Sequence, residues 1–358
     1  MRLTINEIAR LSGVSKSTVS KALNAQSGVG EKTRAQILKL VDRLGYHPSA
    51  AAQSLVSRRT GNIGLVVPHE RALTLDGAYW STLVTAITRE GILNGYHLLV
   101  LVPGDAGDIS TAYQSALDRR TIDGLIVAAE DLDRGAISRL LISEVPFVLI
   151  GQSRHVSHYA VDVDNYQAAF DMICHMAANG FRRIAMVAGP QAYRYTEERV
   201  RGYRRGLAAS GIAVERVIHA AYEGAEARQA VGEMITGWKP DSLFIGAGGD
   251  FLFDSLRALR ELKILIGDLG VSVFDDYSFM EFITPGITAI RQPLSEMGEH
   301  ATRMLLSLVE GGEPAEESII LPARIVPRLS CNEDGAKTDT AMQGRLRMSG
   351  SSDELPDD

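Results

Sequence analysis

Cysteine is scarce: the 358 residues hold two, Cys174 and Cys331. They lie far apart and without CxxC spacing, which argues against a disulfide framework, a zinc finger and an export history. Cys174, within FDMICHM, reads as a buried packing residue rather than a reactive thiol. No run of about 18 apolar residues occurs, so no segment is expected to span a bilayer. The N-terminal MRLTINEIARLSG lacks the apolar stretch of a secretory signal. Catalytic signatures are missing as well: there is no GxSxG, no GxxxxGK followed by Ser or Thr, and no HExxH. The eight histidines are scattered, and His155 and His158, though near each other, have no companion ligands. These gaps point to a cytoplasmic, soluble chain that is not an enzyme and carries no cofactor or metal.

What is present is a substantial apolar fraction, 45%, in a chain long enough for two or three domains. The charge is unevenly spread. Residues 1–60 carry ten lysines and arginines against three acids, a net +7, which leaves −14 on the remainder and returns the chain's −7. A basic head on an acidic body suggests that the head alone meets a polyanion; the plain alternative is a solvated basic domain without a partner.

The head opens with Thr4-Ile5-Asn6-Glu7, a capping box. Ile5, Ile8, Ala9 and Leu11 then keep an apolar face until Ser12-Gly13 breaks the helix. In GVSKSTVSKALN, residues 13–24, Ser15 can cap a second helix with Val19 and Leu23 turned inward. Two short helices around a glycine-containing turn form a helix-turn-helix. Ala9 permits close helix approach, Gly13 can take positive φ, and Val19 anchors the second helix. That helix shows Lys16, Ser17, Ser20 and Lys21 outward, a face suited to a major groove, with hydroxyls for phosphates. A third helix over about residues 31–44 should close the core with Ile37, Leu38, Val41 and Leu44, and Gly45 should end it.

TINEIARLSGVSKSTVSKALN with VGEKTRAQILKLVDRLGYHPSAAAQSL resembles the LacI-type family of bacterial transcription regulators. TGNIGLVVP, GYHLLV, IDGLIV, VPFVLIG, VDVDN, GFRRIAMVAGP, ERVRGY, VSVFDD, TPGITAIRQP and MGEHATRML follow in family order. The likeness covers about residues 2–330. It implies a homodimer reading a pseudo-palindromic operator in double-stranded DNA, with no membrane partner. Thr4, Ser15, Lys16, Ser17, Thr18, Ser20, Lys21 and Asn24 are the implied DNA contacts in the head. Lys21 stands where the family commonly has Arg, so its reading of guanine would be looser.

Residues 48–61, PSAAAQSLVSRRTG, are an Ala-rich segment opened by Pro48. A helix this short does not persist alone. The resemblance makes it a hinge helix that packs against its twin on DNA, with Ala52 and Leu55 at the minor groove and Leu55 as an apolar wedge. The alternative is an ordinary linker with Leu55 tucked away.

From residue 62 short apolar runs alternate with helical stretches: 63–67, 96–102, 123–129, 146–150, 183–189, 242–247 and 270–274. This pattern predicts parallel, doubly wound sheets in two α/β lobes. The domain plan is thus an all-α head over 1–47, the linker 48–61, an effector and dimerisation body 62–331, and a disordered tail 332–358 without heptads. The resemblance implies a periplasmic-binding-protein-like body with crossings near residues 160, 291 and 320. Lobe one then comprises about 62–160 and 292–320, and lobe two about 161–291 and 321–331.

A ligand in such a body sits beyond the carboxyl ends of strands. Residues there are Tyr79 and Trp80, Gly151-Gln152, Arg199, and Asp275-Asp276. The resemblance sets Arg199 and Asp275 at effector contacts and Tyr79, Trp80 and Tyr222 at the pocket wall, with Gln152 as a compensating polar group. For Trp80 alone core packing is the simpler reading, and for an isolated Asp a turn or helix cap. Two positions depart from the family: Gly151 where Asp is common, and Gly249 where Asn is common. The implied effector is a small carbohydrate acting as inducer, with a purine-type corepressor as the alternative. A sugar-binding protein without a regulatory role, or an enzyme, stands further off.

Overall fold

The computed structural model describes residues 3–23, 26–46, 59–67, 78–103, 109–128, 132, 134–221 and 226–331. The chain divides into two compact units, Met1–Gly61 and Asn62–Asp358. Most of the linker and the whole tail 332–358 lie outside the described residues, as do Asn24, Ala52, Leu55 and Tyr222.

Among its described residues the first unit holds three helices: α1 (Ile5–Ser12), α2 (Lys16–Leu23) and α3 (Glu31–Leu44). The capping box of α1 is complete, with Thr4 N–H donating to Glu7 Oε2 at 2.7 Å and Glu7 N–H donating to Thr4 Oγ1 at 3.4 Å. Gly13 ends α1 at φ +69°, in the left-handed region that a Cβ disfavours. Thr18 N–H donates to Ser15 Oγ at 3.1 Å and caps α2. Ile8, Ala9, Val19, Ala22, Ile37 and Tyr46 form the buried core. Two expected core residues are instead exposed, Leu11 at 52% and Leu38 at 44%. Three short helices cover only a narrow stripe of each other. On α3 that stripe runs through Ile37, Leu40, Val41 and Leu44, spaced three and four apart, which turns Leu38 outward. Tyr46, not anticipated in the core, is buried with them.

The second unit alternates strand and helix: β1 (Asn62–Val66), α4 (Ala78–Leu93), β2 (His97–Leu101), α5 (Ile109–Asp118), β3 (Gly124–Ala128), α6 (Arg134–Ile142), β4 (Phe147–Ile150) and β5 (Ala160–Val163). It continues with α7 (Asn165–Ala178), β6 (Ile184–Ala188), α8 (Arg194–Ala209), β7 (Val217–His219), α9 (Glu226–Trp238), β8 (Ser242–Ile245), α10 (Asp250–Glu261) and β9 (Gly270–Phe274). Last come β10 (Thr288–Arg291), α11 (Leu294–Val309), β11 (Ser318–Leu321) and β12 (Arg324–Val326). One sheet has the order β11-β5-β4-β3-β1-β2 and is parallel throughout. The other has the order β12-β10-β9-β8-β6-β7 and is parallel except for β12. Both repeat the doubly wound arrangement, and β3, β4, β6, β8 and β9 are buried at every residue.

All seven apolar runs form strands. Five further strands, β5, β7, β10, β11 and β12, escaped the pattern because each has at most four residues and most are half-exposed or carry a charge. The chain passes between the sheets after β5, after β10 and between β11 and β12. Helix α11 returns to the first lobe, where Met297, Ala301 and Leu305 pack with Leu83 and Ile87 of α4. Cys174 is half-exposed, not buried, because α7 is a surface helix whose inner stripe is Met172, Ile173 and Met176. Cys331 is buried, and burial pushes its thiol up to about 12. Among the described residues no helix is long and apolar enough to cross a membrane.

In the second lobe α8 lies against α7 through Gly202 and Gly206. A Cβ on Gly202 would fall 2.2 Å from the Tyr166 carbonyl oxygen, which is backbone and cannot rotate away. Gly202→Ala should therefore cost about 1–3 kcal/mol or more by forcing the helices apart. Gly232, in α9 with nothing within 4 Å of its would-be Cβ, should gain about 0.4–1 kcal/mol as Ala. Urea unfolding of the two variants should give midpoints displaced in opposite directions.

Candidate nucleic-acid interface and ligand cleft

On the head, the outward face of α2 carries Lys16, Ser17 and Lys21, all exposed, with Thr18 and Ser20 partly covered. Ser15 Oγ lies 2.7 Å from Ser17 Oγ and 2.8 Å from Thr18 Oγ1, a cluster of hydroxyls at the helix start. These hydroxyls can exchange their mutual bonds for phosphate oxygens, and the helix N-terminus adds its own donors. Thr4 is exposed, but its hydroxyl is engaged with Glu7. The guanidinium of Arg34 was counted only as charge, yet it donates to the carbonyls of Ala22 at 3.2 Å and Gln26 at 2.5 Å. It thereby fixes the far end of α2 to α3.

In the body, a cavity of about 310 Å³ lies between the lobes, lined by Tyr79, Thr82, Asp275, Asp276, Tyr277, Arg291, Gln292 and the start of α11. Tyr79 comes from the first turn of α4 in lobe one, while Asp275–Tyr277 follow β9 in lobe two. Gln292 lies in the crossover after β10. The two adjacent aspartates have separate duties. Asp276 is buried in ion pairs with Arg291 and Arg328; the latter places Arg328 Nη1 at 2.8 Å from Oδ1, close but without hydrogen-bond alignment. Asp275 faces the cavity at φ +87°, a conformation that is strained for a residue with a Cβ. Its N–H donates to the Ile290 carbonyl at 3.1 Å, and its Oδ1 accepts from Gln292 Nε2. Strand-end reasoning missed Gln292 because β10 was not recognised as a strand, and so its end was not inspected.

The other expected contacts are dispersed. Trp80 is 3% exposed and belongs to the core of lobe one; it supports Tyr79 edge-on at 5.3 Å and does not line the cavity. Indole is the largest side chain on the inner face of α4, and packing claims it. Arg199 is buried at 6%, its guanidinium 3.4 Å from the Phe274 ring centre. It donates from Nε to Asn165 Oδ1 and from Nη1 to the Gly246 carbonyl, both at 2.8 Å. Arg199 thus braces the strand ends of lobe two, and it is not among the residues lining the cavity. Gln152 lines a separate cavity of about 450 Å³ with Arg154, His155, His158 and Arg194. There two arginines cross between lobes in opposite directions. Arg154 Nη2 reaches Glu197 at 2.8 Å and the Gln191 carbonyl at 3.2 Å, and Arg194 Nη1 reaches the Ser153 carbonyl at 3.3 Å. Gly151 and Gly249, the two departures, adopt φ +84° and +60°.

Comparison with known proteins follows the same division. Residues 4–49 match the family of "Bacterial regulatory proteins, lacI family", and residues 173–331 match the "Periplasmic binding protein-like domain". The chain thus joins a LacI-family DNA-binding domain to a periplasmic-binding-protein-like domain. The regulator DegA of Bacillus subtilis (strain 168) is 25% identical over 338 residues, covering 92% of this chain and 98% of DegA. The repressor PurR of Vibrio campbellii is 26% identical, covering 91% of this chain and 97% of PurR. Among solved structures, a CelR–cellobiose complex aligns with a TM-score of 0.69 at 25% identity, over 91% of this chain and 99% of that one.

In the body no group of three metal-ligating side chains occurs among the described residues. His158 is instead stacked on Phe147 at 3.8 Å, with Nε2 3.0 Å from the Phe147 carbonyl oxygen. Burial holds its pKa below the ordinary 6.5, against an opposing pull from that carbonyl and Glu317. His175 is lowered by burial too. Below 6.5 the unfolded chain therefore binds more protons than the folded one, so stability should fall as the pH drops through that value and recover above it. Chemical denaturation between pH 5 and 8 should show this slope, and His158→Gln should flatten it.

Proposed function

We propose that this LacI-family regulator is a cytoplasmic, homodimeric transcriptional repressor released from a pseudo-palindromic operator by a small carbohydrate. The observation that carries the reading is the pairing of two sites in one chain. A basic, hydroxyl-rich helix is exposed on the head, and a polar cavity lies between two binding-protein-like lobes. In this reading Lys16, Ser17, Ser20 and Lys21 enter the major groove, while Thr4, Ser15 and Thr18 hold phosphates. Asn24 is a further DNA contact in this reading, and Ala52 and Leu55 act at the minor groove, with Leu55 as the wedge. Tyr79 and Asp275 contact the effector directly. Arg199 shapes the strand ends behind them, and Gln152 acts near the arginine crossings of the lobes.

Release follows from differential affinity: a ligand that prefers one spacing of the lobes biases the dimer toward the geometry that fits it. Arg154 and Arg194 are placed to add to closure, though half-exposed pairs such as Arg154–Glu197 contribute little each. We assign the protein no catalytic role, consistent with relatives that are regulators. The corepressor alternative draws support from the PurR likeness and would reverse the sign of the response without changing the architecture.

The test is operator binding by fluorescence anisotropy, with and without sugars, sugar phosphates and purines. A carbohydrate that weakens the complex supports the reading; a purine that strengthens it selects the alternative. Lys21→Ala should weaken the complex and change base preference at defined operator positions. A uniform loss, with the salt slope reduced by about one, would make Lys21 a phosphate contact only. In thermal unfolding, saturation at about a hundred times the dissociation constant should stabilise the body by about 2.7 kcal/mol. Asp275→Asn, which keeps the shape and removes the charge, should lose most of that shift.

A further inference from the structure

Gly248 and Gly249 occupy a position where the body has no polar side chain, yet the space is filled. The Gly249 N–H donates to Tyr277 Oη at 2.7 Å, so the phenol of Tyr277 takes a place beside Asp275. The fit demands glycine twice. A Cβ on Gly248 would lie 2.3 Å from Tyr277 Oη and 2.7 Å from Asp275 Oδ2. Gly249 has φ +60° and ψ −140°, a region essentially confined to glycine. The ring is also held from behind: it stacks on Phe279 with centroids 5.6 Å apart, and Phe279 stacks on Phe253 at 5.3 Å. Tyr277 is 8% exposed, and it lines the cavity together with Asp275, Gln292 and Tyr79. Its bulk is therefore part of the wall and not a side chain in transit.

We propose that Tyr277 is the specificity-determining residue of the cleft. Seated by the glycine pair, it closes the lobe-two side of the cavity and limits the ligand to a monosaccharide-sized polyol. The two glycines are then a requirement of the phenol and not merely contacts given up. The cavity of about 310 Å³ lies at the lower end of the range for small-molecule sites, about 300–1,000 Å³, in keeping with that limit. Asp275 accepts from ligand hydroxyls, and the phenol bounds the ring they belong to. This inference rests on the carbohydrate reading above and adds the size of the ligand and the residue that sets it.

The experiment is calorimetric titration of the full-length protein with a matched panel of monosaccharides and their disaccharides. The variants are Tyr277→Phe, Tyr277→Ala and Gly248→Ala, with circular dichroism to verify folding. The native protein should prefer a monosaccharide over its disaccharide at least about tenfold, and Tyr277→Ala should bring the two within about threefold. Gly248→Ala should move the ratio in the same direction, since its Cβ displaces the phenol. Tyr277→Phe keeps the ring of the wall and loses the bond from the Gly249 N–H, so it should keep the size preference. Should Tyr277→Ala fail to fold, the ratio in Gly248→Ala decides. A native preference for the disaccharide, or ratios unmoved in the variants that fold, would overturn the role of Tyr277 alone. A native protein that binds no carbohydrate would overturn the carbohydrate reading and this inference together.

Discussion

A parallel sheet brings all its strand ends out on one edge, and much of this body follows from that constraint. Among the described residues nine of the ten strand pairings are parallel, so each lobe gathers loops and helix starts at a carboxyl edge. Between the two lobes lies a cavity whose wall draws on both. Backbone polarity concentrates there because the sheet interior has satisfied its own groups. Tyr79, Asp275 and Gln292, far apart in sequence, meet for that reason.

The crossings between lobes make the cleft mechanically meaningful. Gln292 lies in the crossover after β10 and donates to Asp275. Arg291, one residue earlier, pairs with Asp276, and Arg328, beyond the last crossing, pairs with the same carboxylate. The two adjacent aspartates are thus both tied to residues at or beyond the crossings between the lobes. In the cavity beside Gln152, Arg154 and Arg194 reach across between the lobes in opposite directions. Half-exposed contacts of this kind are individually weak.

Residues that one strand end would assign to a ligand turn out to serve neighbours as well. Arg199 is anchored to Asn165 and Gly246 and stacked on Phe274, so it sets the shape of the lobe-two strand ends. Trp80 holds Tyr79 from within the core. Adjacent Asp275 and Asp276 differ because the chain alternates direction after β9: one carboxylate points into the cleft and the other into a cage of arginines.

Sequence alone determined what depends on local chemistry. The capping box, the glycine turn, the burial of Ala9 and Val19, the exposed face of α2 and the seven strands of continuous apolar residues were legible because each is decided within a few positions of the chain. Asp275 and Asp276 were brought forward together in the same way, since a carboxylate after a buried strand emerges at the sheet edge; only the fold separates their surroundings. Tertiary structure alone decided the rest. Five short strands form only because a neighbour offers them partners, and Leu11 and Leu38 are exposed because small helices cover so little of one another. Gln292 and Tyr277 enter the cleft because β9 and β10 are adjacent, and Gly248 and Gly249 are needed only once the phenol stands beside them. None of these follows from the residue itself, because each depends on which distant backbone comes within a few ångströms.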